Sequence, residues 1–116
     1  MGVYMKKIEI SVKYMVESHQ DAYIKILDFI YDKYPNALKS FEQLPKHGEK
    51  GKRYLARSKE KLYVNNPILA NRGRHFRNGW FIPGNIGPKT LNRIVQMFLT
   101  IVEIEYEDKL EISCRE

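Results

Sequence analysis

The chain opens on an alternation. Ile8, Ile10, Val12 and Tyr14 share one parity across residues 6–14, and Lys7, Glu9, Ser11 and Lys13 share the other. A period of two predicts a half-buried strand, because successive side chains leave a strand on opposite faces. The beat then changes to four. Ala22/Tyr23, Ile26/Leu27, Ile30/Tyr31 and Tyr34 recur at helical spacing, with Ser18 placed as N-cap and Asp21 in the first turn. Pro35 stops that helix and suits the first position of the next, which carries Leu38 and Phe41 and ends at Pro45.

The middle is more broken. Residues 46–53, KHGEKGKR, read as a glycine-containing basic loop, followed by Tyr54-Leu55-Ala56 as a short strand or core anchor. Ser58 is placed as the cap of a short helix through Leu62 and Tyr63. Asn66-Pro67 reads as cap and first position of another, with Ile68 and Leu69 facing inward. Residues 71–79, NRGRHFRNG, read as a second basic loop, Trp80-Phe81-Ile82 as a short buried strand and 83–87 as a turn. Pro88 then opens a helix with Leu91, Ile94, Val95, Phe98, Ile101 and Val102 on one stripe.

Two readings compete at the end. Val102, Ile104 and Tyr106 alternate with Glu103, Glu105 and Glu107, and Leu110 and Ile112 alternate with Lys109 and Glu111. That pattern fits a hairpin over 102–113 turning near Glu107-Asp108, and it also fits a helix that runs on past Tyr106. The hairpin is favoured because the first strand needs partners. The expected fold is α+β: a small single domain over 1–116, helices packed with short antiparallel strands, and terminal strands that either form one sheet or pair between subunits. An exposed strand edge favours a homodimer.

Composition narrows the class. With 43% hydrophobic and 29% charged residues, the 116-residue chain is not a disordered tail, a collagen or a coiled-coil rod. One cysteine, Cys114, excludes an internal disulfide framework. No apolar run is long enough to span a bilayer and no signal peptide is visible, so a soluble cytoplasmic protein is expected, with no membrane partner; a nucleoid-associated one is expected only if the charge pattern reads as DNA binding.

Charge is the feature that points to a partner. The net charge is +6, yet residues 46–93 hold twelve lysines and arginines against only Glu49 and Glu60, while the remainder of the chain is net negative at −4. A basic block of this kind fits nucleic acid, because Lys and Arg neutralise phosphates and release counterions. Phosphate contacts are expected from Lys50, Lys52, Arg53, Arg72, Arg74 and Arg77. Asn85 is placed to face bases, and Lys89 and Arg93 lie near the start of the last helix, whose free N–H groups also suit a phosphate. The bland alternative is a solubilising surface, with Trp80 in the core and Asn85 serving only a turn that needs positive φ.

Catalytic signals are weak. His19, His47 and His75 are evenly spaced 28 residues apart, which is no metal-ligand pattern, and no cofactor motif is present. Glu107 and Lys109 have an ExK spacing found in some nucleases, without a partner acid before them. The chain therefore reads as a binder rather than an enzyme, with no cofactor or metal. A small nuclease or restriction-system component on the same basic face is the alternative, and a protein-interaction module using Glu103, Glu105 and Glu107 is a third class.

Residues 50–98 carry a resemblance. Tyr54-Leu55-Ala56, Glu60 to Leu62, the loop 71–79, Trp80-Phe81-Ile82, the turn 83–87 and the helix from Pro88 follow one another in an order that resembles the C-terminal DNA-binding domain of the replication-initiation modulator SeqA. The spacing from Leu62 to Trp80 matches without gaps, and with the helix of Ile26, Leu27 and Ile30 the likeness covers about residues 20–99. The resemblance implies a duplex-DNA binder with a replication or regulatory role, reading a hemimethylated site through two loops. Carried over, the Arg-x-Arg loop becomes Lys50-Gly51-Lys52 with Arg53 adjacent. The two turn asparagines fall on Gly84 and Ile86, with Asn85 between them. DNA binding is implied more directly than methyl-adenine reading.

Overall fold

A computed structural model describes residues 5–11 and 18–115. In chain order it contains β1 (Met5–Ser11), α1 (His19–Lys33), α2 (Pro35–Glu42), a 3-10 turn at Glu49–Gly51, α3 (Lys59–Leu62), α4 (Pro67–Asn71), β2 (Arg74–His75), β3 (Phe81–Ile82), α5 (Pro88–Tyr106) and β4 (Lys109–Arg115). The architecture is α+β. The chain divides into two compact units, Met1–Phe41 with Ile86–Glu116, and Glu42–Asn85.

The first unit is built on the expected helices. Ser18 Oγ accepts from the Asp21 N–H at 3.2 Å, supplying one of the orphan donors of α1 with a partner. Tyr23, Ile26, Leu27 and Ile30 of α1, Leu38 and Phe41 of α2, and Ile94, Phe98 and Val102 of α5 are fully buried. The Phe41 and Phe98 rings stack with centroids 4.3 Å apart. Each such side chain contributes about 1.5–3 kcal/mol by leaving water.

The expected hairpin over 102–113 is not formed. α5 runs to Tyr106 and ends at Glu107, whose left-handed backbone (φ 57°) turns the chain while its N–H returns to the Glu103 carbonyl. The apolar alternation was misleading at one position: Ile104 is 73% exposed, as a helix requires and a core-facing strand does not allow. Tyr106 instead packs edge-on against Tyr34, and its hydroxyl accepts from the Asn36 N–H at 3.0 Å. The Tyr34 hydroxyl donates to the buried Asp108 carboxylate at 2.6 Å, anchoring the exit from the helix.

β1 still finds a partner, because β4 alone supplies it. The two strands pair in parallel from Met5 opposite Lys109 to Ser11 opposite Arg115. The terminal strands thus form one sheet, parallel rather than antiparallel. Of the alternating segment at 6–14, residues 12–14 lie outside the described residues.

The second unit has smaller elements around Tyr54, Leu55, Ala56, Leu62, Ala70, Trp80 and Ile82, all buried. Ala56 and Phe81 exchange both backbone hydrogen bonds, at 3.0 and 2.7 Å. The stretch expected as a second basic loop contains a small hairpin, with Arg74 opposite Ile82 and His75 opposite Phe81. Its turn is Asn78-Gly79, both at positive φ, and the Trp80 N–H closes it onto the Arg77 carbonyl at 2.8 Å. This is the mirror-image turn that matches strand twist. Asn66 caps α4 as expected, its Oδ1 accepting from the Leu69 N–H at 3.2 Å. The inward face of α4 is not the expected one: Ile68 is 71% exposed and Leu69 only half-buried, and the residue of this five-residue helix that is buried is Ala70.

Candidate nucleic-acid interface

The division into units sharpens the charge asymmetry. Glu42–Asn85 holds ten lysines and arginines against three glutamates, and the first unit holds ten against eleven acids. The basic character therefore belongs to one folded body, at +7. Its Glu49 pairs loosely with Lys46 at 3.9 Å, both side chains being largely exposed, which contributes little. Lys50, Lys52, Arg72 and Arg74 have no carboxylate partner among the described residues.

Three sequence-predicted residues converge. Lys52, Arg72 and Asn85 line a cleft of about 350 Å³ together with Tyr63, Leu69 and Gly84. Local backbone geometry builds it. Lys52 and Tyr63 face each other across an isolated antiparallel bridge, with the Arg53 N–H donating to the Leu62 carbonyl at 2.8 Å. On the other side, Gly84 lies so close to Arg72 that a Cβ there would sit 2.2 Å from the Arg72 carbonyl oxygen. Only glycine permits that approach, and it sets Asn85 beside Arg72.

The side chains have separate tasks. The Lys52 ammonium stands 5.5 Å from the Tyr63 ring centroid and 5.7 Å from that of Tyr54. Both rings attract it through their negative faces. Burial, with a smaller contribution from Tyr54, pushes the Tyr63 hydroxyl above its ordinary range, so it stays neutral and brings no negative charge to the cleft. Asn85 is exposed and is not among the residues at positive φ, so a left-handed turn is not what it is there to satisfy.

The remaining predicted residues are distributed differently. Lys50 is exposed at φ 55° within the 3-10 turn, and Arg74 is exposed on β2. Arg77 is half-buried at the hairpin tip. Arg53 is turned to structure: its Nη2 donates to the carbonyls of Glu42 and Leu44, the latter at 2.6 Å, which satisfies backbone acceptors where α2 ends. Lys89 and Arg93 are exposed on α5, in the first unit.

Several residues were not anticipated. Arg57 lays its guanidinium 3.4 Å from the centre of the Trp80 ring and donates to the Asn78 carbonyl at 3.1 Å, closing over a tryptophan that is 4% exposed. His47 is buried, its Nδ1 accepting from the Tyr54 N–H at 2.9 Å. Neither role leaves a periodic trace in sequence. Tyr63 and Gly84 were visible only as part of a short helix and a turn.

Of the positions the SeqA likeness assigns to adenine contacts, Gly84 has no side chain and Ile86 is 5% exposed. Asn85 is the residue of that turn with an amide to offer. Glu107 is the exposed C-cap of α5, and Lys109 pairs with Glu103, so the ExK spacing falls at a helix end. Glu105 accepts from the Ser40 hydroxyl. Among the described residues, no three His, Cys, Asp or Glu side chains come together, and no helix is long and apolar enough to cross a membrane.

Comparisons with family models, with characterised proteins and with solved structures found no match to this chain.

Proposed function

We propose that this protein binds duplex DNA through its second unit and does no chemistry on it. The observation that carries this reading is the convergence of Lys52, Arg72 and Asn85 on one cleft of a body with a charge of +7. Lys50, Arg72, Arg74 and Arg77 hold phosphates, which supplies affinity without sequence information. Asn85 reaches a base edge, where a carboxamide matches adenine best. Arg53 commits its Nη2 to the Glu42 and Leu44 carbonyls, so its part in phosphate contact is secondary to that of Lys50, Arg72 and Arg74. The order of motifs in residues 50–98, which resembles that of the SeqA DNA-binding domain, supports the same reading and a regulatory role. Selectivity for sequence or methylation rests on Asn85 alone.

A second copy belongs to this reading. β1 and β4 form a two-stranded parallel sheet that leaves an outer edge on each strand, and such edges pair readily with another chain. Dimerisation would double the basic surface and raise apparent affinity by linkage. Light scattering at several concentrations reads this directly.

The test of function is binding of labelled duplexes that are unmethylated, hemimethylated or fully methylated, by the parent and by a Lys50→Ala/Arg72→Ala/Arg74→Ala variant. All three positions are exposed and without a carboxylate partner among the described residues, so the variant should stay folded. The expected result is at least a tenfold weaker complex for every duplex. Unchanged affinity in a folded variant would refute the reading.

A further inference from the structure

The cleft of the second unit is more than phosphate binding requires. A phosphate is held well by an exposed cation or a backbone N–H on an open surface. Here two cations share a concavity of about 350 Å³ with an aromatic ring, an aliphatic side chain and a carboxamide. That volume falls at the small end of the roughly 300–1,000 Å³ of sites for small organic groups. The lining also divides as a nucleotide does. Lys52 and Arg72 suit the phosphate, Tyr63 and Leu69 suit the flat apolar face of a base, and Asn85 offers both a donor and an acceptor to its edge. With the Lys52 ammonium 5.5 Å from the Tyr63 ring centre, a phosphate drawn to Lys52 brings its own base next to the ring.

A second observation lies in the same segment. Val64 and Ile68, either side of the Asn66 cap, are 54% and 71% exposed, two of the large apolar side chains most open to solvent. The chain turns at Asn65 in the left-handed region (φ 68°) between Val64 and that cap. Ile68 directly precedes Leu69 of the cleft lining, and DNA-bending proteins insert apolar side chains, isoleucine among them, between base steps.

We infer that the cleft receives one unstacked nucleobase, with Ile68 as the apolar wedge that takes its place in the stack. This rests on the nucleic-acid reading above and names the ligand of the same site: an unpaired or extruded nucleotide. The full chain is tested against two labelled duplexes of the same sequence, one fully paired and one with a single bulged nucleotide at its centre. The bulged duplex is expected to bind tighter by roughly fivefold to a hundredfold, the range that base–aromatic stacking supplies. Asn85→Ala and Ile68→Ser, both at exposed positions, should lower that ratio. Tyr63→Phe should keep it and Tyr63→Ala should lose it. Equal affinity for the two duplexes, or a ratio that survives all three of the disabling substitutions, overturns the inference and leaves DNA binding standing. Binding to neither duplex overturns both.

Discussion

The two units solve opposite problems. The first is close to neutral, and several of its charges answer one another: Lys7 lies within 4 Å of Glu9 and Glu111, and Lys109 meets Glu103. Its helices are long enough to bury whole stripes, from Tyr23 to Ile30 on α1 and from Leu91 to Val102 on α5. The second unit is strongly positive, and its helices have four and five residues. It holds Lys50, Asn65 and Asn78 in left-handed backbone that costs non-glycine residues free energy. Burial sustains the first. The second has a smaller buried core and keeps Lys50, Arg72, Arg74 and Asn85 exposed.

If that contrast is right, substitutions should separate by unit. The largest effect is expected from Phe98→Ala, which removes a fully buried ring stacked on Phe41 and should cost about 3–5 kcal/mol in denaturant unfolding. Arg72→Ala in the same assay should shift stability by less than about 0.5 kcal/mol while weakening DNA binding. A reversal of these two outcomes would break the comparison.

Gly84→Ala comes next. Its Cβ would meet the Arg72 carbonyl oxygen, a backbone atom that cannot rotate away, so a loss of about 1–3 kcal/mol is expected together with loss of DNA binding. Arg57→Ala should be milder, costing about 0.5–2 kcal/mol as the cation leaves the ring. Trp80 is the chain's one tryptophan, so its emission should shift to the red as water reaches it.

The smallest effect is with pH. Because Tyr63 is pushed above its ordinary range near 10, its protonated form is favoured in the folded state. Its contribution is fully present below the unfolded-state pKa and is lost as pH rises through the raised one. Stability measured upward from about pH 10 should fall more steeply in the parent than in Tyr63→Phe.

Much of the first unit was legible because long elements repeat their signal. Every residue of the predicted α5 stripe is buried, and Ser18 caps α1 where expected. The C-terminus misled because residues 102–106 fit a period of two as well as a helix, and a five-residue window cannot separate them. The anchor that decides the matter, Asp108 accepting from Tyr34, is 74 residues distant in sequence. Parallel pairing of β1 with β4 is equally non-local. In the second unit, Asn78-Gly79 was a hairpin signal hidden within a run of arginines. The charge block identified the body that carries the candidate site. It could not separate Arg53, bound to carbonyls, from Arg72 in the cleft, because the difference lies in which backbone passes nearby. Tyr63 joined the site through a cross-chain bridge that no local pattern announces.

The most direct test of the central claim is the salt dependence of duplex binding by the parent and the Lys50→Ala/Arg72→Ala/Arg74→Ala variant. A unit that holds phosphates with those cations predicts a linear fall of log affinity with log salt, and a slope shallower by about 0.9 for each contact removed. Parallel lines for the two proteins, or affinity that does not change with salt, would contradict it.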